Sequence, residues 1–136
     1  MNMTGKKASE YGWVVKIPAE GIVQLVGVKP TLYISTDFTD EMRERISLSE
    51  FFLPGSNRMY LLAYSRHGEA AGLPRNKIAS WSMRNNRVKH AGETIFGDAV
   101  VFRTEGGKLM PLDPVEALRI RKEIRHTEEM EAWVIK

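Results

Sequence analysis

No cysteine occurs anywhere in the 136 residues. That excludes disulfides, thiolate nucleophiles and every zinc or iron–sulfur site built on Cys. Histidine is scarce as well. His67, His90 and His126 fall at no ligand spacing such as HxxxH, so the sequence offers no metal motif. A nucleophilic serine lacks its elbow, because GxSxG is missing. Gly106-Gly107-Lys108 has neither the leading glycine nor the following Ser/Thr of a P-loop. His90, Glu93 and Asp98 are close in sequence, as an acid–base set would require, but Gly97-Asp98 reads more simply as a turn before a strand. No catalytic residue and no cofactor are therefore expected. No apolar stretch approaches the roughly 18 residues of a membrane span. The segment Met1–Lys7 has no apolar core of the signal-peptide kind. Together with the missing cysteines, this leads us to expect a cytoplasmic protein with no membrane partner.

What is present is ordinary in amount and uneven in distribution. Hydrophobic residues make up 43% and charged residues 27%, enough for a single domain to bury a core of its own. The net charge is +3, and it is concentrated. Between Arg66 and Arg103, seven Lys/Arg stand against three acids, so this stretch is more basic than the whole chain. Basic patches attract nucleic acid or acidic protein surfaces through their long-range field, although a basic face also serves solubility alone. Arg75, Lys77, Arg84, Arg87 and Lys89 are the candidate contacts, with Tyr64, Trp81 and His90 as candidate stacking groups. No RRM, KH, helix-turn-helix or zinc-finger signature accompanies them.

The elements follow from periodicity and breakers. Trp13–Ile17 reads as a strand stopped by Pro18, with Trp13, Val15 and Ile17 on one face. Ala19–Val26 is ambiguous, since Ile22, Leu25 and Val26 have helical spacing over only two turns, with Gly27 as the stop. Pro30–Thr36 is β-rich, and Asp37 or Thr39 can cap a short helix through Met42 and Ile46. Leu48, Phe51 and Phe52 are too apolar for a free loop. They read either as a segment folded back into the core or as an exposed knob, Leu48–Pro54, that touches a partner.

Met59–Tyr64 is a strand by its apolar run, and His67-Gly68-Glu69 a turn in which Gly supplies positive φ. After Gly72-Leu73-Pro74, Asn76 can cap a helix over Lys77–Met83 with Ile78 and Trp81 on its buried edge. The turn and that helix start could also serve as an anion site for a nucleotide or small molecule. Ala99–Phe102 is the clearest strand, and Lys108–Met110 can pair back on it across Gly106-Gly107. Asp113, Pro114 and Glu116 form a box-like helix cap. Behind it Ala117, Ile120 and Ile124, with Leu118 beside them, make an apolar edge, and Arg119, Arg121, Lys122 and Arg125 a basic belt that reads as solvated. Ala132–Lys136 alternates as a final strand would.

Three stretches resemble one family. They are Glu20–Gly27, Gly68–Ala79 (GEAAGLPRNKIA) and Ile95–Val101 (IFGDAVV). Their order is similar to the pattern of DUF3846, a family of small uncharacterised proteins found mainly in bacteriophages and mobile elements. The likeness covers Glu20 to Arg103. The Asp37–Asn57 segment departs from it, being longer and more charged, and the C-terminal helix falls outside it. The resemblance implies no activity. It implies a phage or mobile-element setting, in which such accessory proteins act by binding a host or viral macromolecule.

The expected fold is α+β: a mostly antiparallel sheet of about five strands with the C-terminal helix packed on it, as one domain. The expected function is non-enzymatic binding of a host or viral protein, through the knob with Phe51 and Phe52 and the basic face from Arg75 to Lys89. Direct nucleic-acid binding is the alternative, and a nucleotide-binding module a further one.

Overall fold

The computed structural model of the protein describes residues 12–28, 45–85, 94–105 and 108–135. Six strands and two helices occupy them. In chain order these are β1 (Gly12–Ile17), β2 (Gln24–Val28), β3 (Ile46–Phe51), β4 (Tyr60–Ser65), α1 (Lys77–Asn85), β5 (Ala99–Glu105), β6 (Lys108–Met110) and α2 (Pro114–Ile135). The strands form one sheet in the order β2-β1-β5-β4-β3, with β6 paired to β5, and every pairing is antiparallel. The α+β class and the packed C-terminal helix expected from the sequence are both found.

The register explains the core. Val15 pairs with Val101, which pairs with Leu62, which pairs with Ser49, so one row crosses four strands. Its three apolar members are fully buried. Ser49 ends the row, and its hydroxyl lies 3.0 Å from the Tyr64 hydroxyl. Ile17, Ala99, Tyr60 and Phe51 extend the same face, and Ala79, Ile95, Leu112, Ala117, Ile120 and Ile124 close over it. Alternation puts Val14 and Phe102 on the opposite face, where Val26, Ala63, Val100 and Leu109 join them.

Several sequence readings need correction. Residues 24–28, whose lead-in the sequence left ambiguous because of its helical spacing, form the edge strand β2. Gly27 sits inside it, opposite Trp13, and stops nothing. Strand pairing with β1 from Gly12 to Lys16 outweighs two turns of helical periodicity. Residues 132–135 belong to α2 and not to a strand. The buried edge of α1 is made by Ala79, Ser80 and Ser82, while Ile78 and Trp81 are half-buried. Small side chains let the helix approach its neighbour α2. The strand expected over Pro30–Thr36, the helix expected to begin near Asp37 and the fraying expected of residues 1–10 lie outside the described residues. Ile46, expected in that helix, opens β3 instead.

Two glycines hold the loop around α1 for different reasons. Gly97 has φ +86° and donates its N–H to Pro74 O at 2.7 Å. Gly68 has no positive φ. It is required because a Cβ there would come within 2.7 Å of Phe96 O. Between them Asn76 is fully buried. Its Oδ1 accepts from Ala79 N at 3.0 Å, capping α1, while its Nδ2 donates to Ile17 O at 2.8 Å and Gly97 O at 2.9 Å. One side chain thus ties α1, the end of β1 and the lead-in to β5. Asn76→Ala leaves two buried carbonyls and a helix start without partners, so we expect a loss of about 3 kcal/mol in urea unfolding at unchanged m-value.

Candidate functional site

The cap of helix α2 was legible in the sequence. Glu116 N–H donates to Asp113 Oδ1 at 2.8 Å, and Asp113 N–H donates to Glu116 Oε1 at 3.2 Å, so both halves of the capping box are made. The sequence did not show what else Glu116 does. Its other oxygen accepts from the Tyr60 hydroxyl at 2.5 Å, and Oε1 also accepts from Arg58 at 3.1 Å. Arg103 lies 3.9 Å from the same oxygen and donates to Pro111 O at 3.4 Å. The buried carboxylate is therefore shared by β4, β5, the loop before β4 and its own helix start. A mutual pair of backbone bonds between Trp13 and Leu112, at 3.0 and 2.7 Å, fixes the entry to the helix. Arg119 reaches Pro54 O at 2.7 Å.

With one edge of α2 held in this way, the outer face is presented rigidly. Ala117, Ile120 and Ile124 point into the core with no exposed surface. Leu118, Arg121, Lys122, Arg125 and His126 line a cleft of about 500 Å³. Their spacing is i, i+3, i+4, i+7, i+8, which places them on one helix face. Arg121, Lys122 and Arg125 make no ion pair with a described residue. Val115 is 66% exposed and Leu118 48% exposed, so the face opens apolar and continues basic. Leu118, expected beside the buried edge, is turned outward because it lies 100° round the helix from Ala117. The basic belt was visible in the sequence, but nothing there distinguished a shaped cleft from a solvated face.

The sequence-derived site residues are placed as follows. Phe51 is 3% exposed and belongs to the core, whereas Phe52 is 51% exposed. The Leu48–Pro54 knob is largely the strand β3, and alternation sends Phe51 inward and its neighbour outward. Phe51 is accordingly no contact residue. Arg75 is exposed, in a bridge with Phe96, and Lys77 is exposed at the first position of α1. Arg84 stands two turns further along the same helix, about 10 Å from Lys77. Arg87, Lys89 and His90 lie outside the described residues. The cap expected to hold an anion at the start of α1 is filled by Asn76 itself. Among the described residues no group of three His, Asp or Glu could hold a metal ion, and no described helix is long and apolar enough to cross a membrane.

A second cleft, of about 470 Å³, lies against the other sheet face between Ile46, Ala63, Val100 and Phe102. Compared with known proteins, the chain matches no family model, no curated protein and no solved structure.

Glu116→Ala removes the acceptor shared by the Tyr60 hydroxyl, Arg58 and the Asp113 N–H. The expected cost is about 3 kcal/mol in chemical denaturation, with Glu116→Gln costing less because the amide still accepts.

The cluster also contributes to the pH dependence of stability. Burial raises the Tyr60 hydroxyl above its ordinary 10.0, and its bond to Glu116 raises it further. A group raised in the folded state stabilises below its unfolded pKa and loses that contribution as pH rises through the folded value. Burial also pushes Asp113 upward, but the Glu116 N–H and the Arg58 charge outweigh it and hold the carboxyl below 3.8. Its contribution is present above 3.8 and is lost as pH falls further. Thermal unfolding followed against pH should fall off below 3.8 and above 10.0, with Asp113→Asn flattening only the acid limb and Tyr60→Phe only the alkaline limb.

Proposed function

We propose that the protein is a non-enzymatic accessory protein of phage or mobile-element type that binds an acidic protein partner along the outer face of α2. The cleft formed by Leu118, Arg121, Lys122, Arg125 and His126 carries this reading. Cations without an ion pair among the described residues, on a helix whose opposite edge is locked in a core, form a preorganised surface, so little ordering cost falls on binding. The chemistry favours a protein over a nucleic acid. A phosphate backbone has no use for Val115 and Leu118, both exposed at the start of the face. An amphipathic acidic segment uses both halves, its apolar side chains meeting the first turn and its carboxylates the next two. The resemblance to DUF3846 supports the setting. Nucleic-acid binding through the region of Arg75, Lys77 and Arg84 is the competing reading.

Fluorescence anisotropy with an acidic amphipathic helical peptide and with duplex DNA, from about 50 to 300 mM salt, separates the two. We expect the peptide to bind more tightly than the DNA, and Arg121→Glu with Arg125→Glu to weaken it at least about tenfold. DNA binding that exceeds peptide binding and survives that double substitution would give the function to the other basic stretch.

A further inference from the structure

Strand β3 ends the path of the sheet, and among the described residues no strand pairs with its outer side. Natural edge strands are blunted by proline, lysine, a bulge or short length. β3 has none of these. Its six residues, ISLSEF, pair with β4 without interruption from Ile46–Ser65 to Phe51–Tyr60, and Glu50 is their single charge. The hydrogen bonding shows which backbone groups are left over. Arg66 N–H donates to Arg45 O at 2.9 Å, so the odd-numbered residues turn their backbone groups to β4. By alternation, the N–H and C=O groups of Ile46, Leu48 and Glu50 point out of the sheet edge. The side chains add a second observation. Pleating puts Ile46, Leu48 and Phe52 on the sheet face away from the helices, where Phe52 is 51% exposed. At the other end of the strand, the cleft of about 470 Å³ opens between Ile46, Ala63, Val100 and Phe102. One end of the edge thus carries an exposed aromatic ring and the other an apolar recess.

Two such edges run antiparallel fill each other. We infer that β3 pairs with β3 of a second copy of this chain, about a two-fold axis beside Ser49, and that Phe52 of each copy covers the cleft of the other. In this register Leu48 faces Glu50 of the second copy and Ile46 faces its Phe52, and both pairs occur twice, as an isologous interface requires. Facing residues are both even-numbered or both odd-numbered, so each face of the joined sheet stays continuous. The outward groups of Ile46, Leu48 and Glu50 all find partners. The phenyl ring comes to rest beside Ile46, at the rim of the cleft. Neighbouring registers lose this fit. A shift of two residues one way sets Glu50 directly against Glu50 of the second copy, which like charges disfavour. The same shift the other way carries Phe52 past the end of the facing strand. The surface is separate from the α2 cleft, so the inference goes beyond the proposed function and does not depend on it.

Sedimentation equilibrium and disulfide trapping on the full chain test it. At about 100 µM protein we expect dimers that change little between about 50 and 300 mM salt, because backbone bonds and apolar contacts hold them. Phe52→Glu should weaken the dimer at least about tenfold. Glu50→Pro removes an outward N–H that β4 does not use, and should give a monomer with an unchanged circular dichroism spectrum. The chain has no cysteine, so Ile46→Cys with Phe52→Cys reads the register directly. Facing, hydrogen-bonded residues stand about 5.5 Å apart at Cα, within disulfide reach. Within one copy the two positions are about 20 Å apart along the strand. Mild oxidation should therefore link the double variant into dimers and leave each single variant unlinked. A monomeric wild type at this concentration, or a double variant that does not link, would overturn the inference. So would a dimer that survives Phe52→Glu and Glu50→Pro but is lost on Arg121→Glu with Arg125→Glu, since its interface would then lie on α2.

Discussion

One carboxylate sets the position of the helix on which the functional reading depends. Glu116 closes a capping box on its own helix while accepting hydrogen bonds from Tyr60 and Arg58. A buried carboxylate is costly unless its lone pairs are satisfied, and here donors converge from a strand, a loop and the residue that caps the helix. Meeting that requirement leaves α2 little freedom. The helix must begin at Pro114 over β4 and β5, so Ala117, Ile120 and Ile124 fall on the core and Leu118, Arg121, Lys122 and Arg125 fall outside. The geometry of the cleft is thus a consequence of how the first turn is held.

Asn76 does a comparable job at the other end of the core. Its amide joins α1, the last residue of β1 and the turn at Gly97, all without exposure to water. It occupies the helix start that would otherwise offer N–H groups to an anion. The loop from Gly68 to Asn76 therefore has a structural use in this chain. Gly68 and Gly97 belong to that arrangement, the one through close approach and the other through its backbone conformation. A rigid framework on one side and a charged outer helix on the other suit a protein that acts by contact.

Much of this was readable in advance where the signal is local. The box Asp113–Glu116, the hairpin partners around Gly106-Gly107 and the strand at Ala99 each depend on residues within a few positions, and each formed. The reading stayed open where a local pattern competed with pairing. Ile22, Leu25 and Val26 have helical spacing, yet β1 offered a continuous partner and residues 24–28 became a strand. Phe51 and Phe52 look alike in the sequence. Pleating alone sends one into the core and leaves the other half-exposed.

The sequence by itself determined the class of fold, the cap and direction of α2, and the exclusion of thiol and Cys-ligated metal chemistry, because composition and short-range spacing are sufficient for these. Only the tertiary structure decided which charges gather. The stretch from Arg66 to Arg103 carries the chain's excess of positive charge, but the cationic cleft lies elsewhere, on α2. Charge density along a chain measures neighbours in one dimension. A binding face is a set of side chains that a packed core turns to the same side, and here that orientation is fixed by Glu116 and by three residues buried behind the helix.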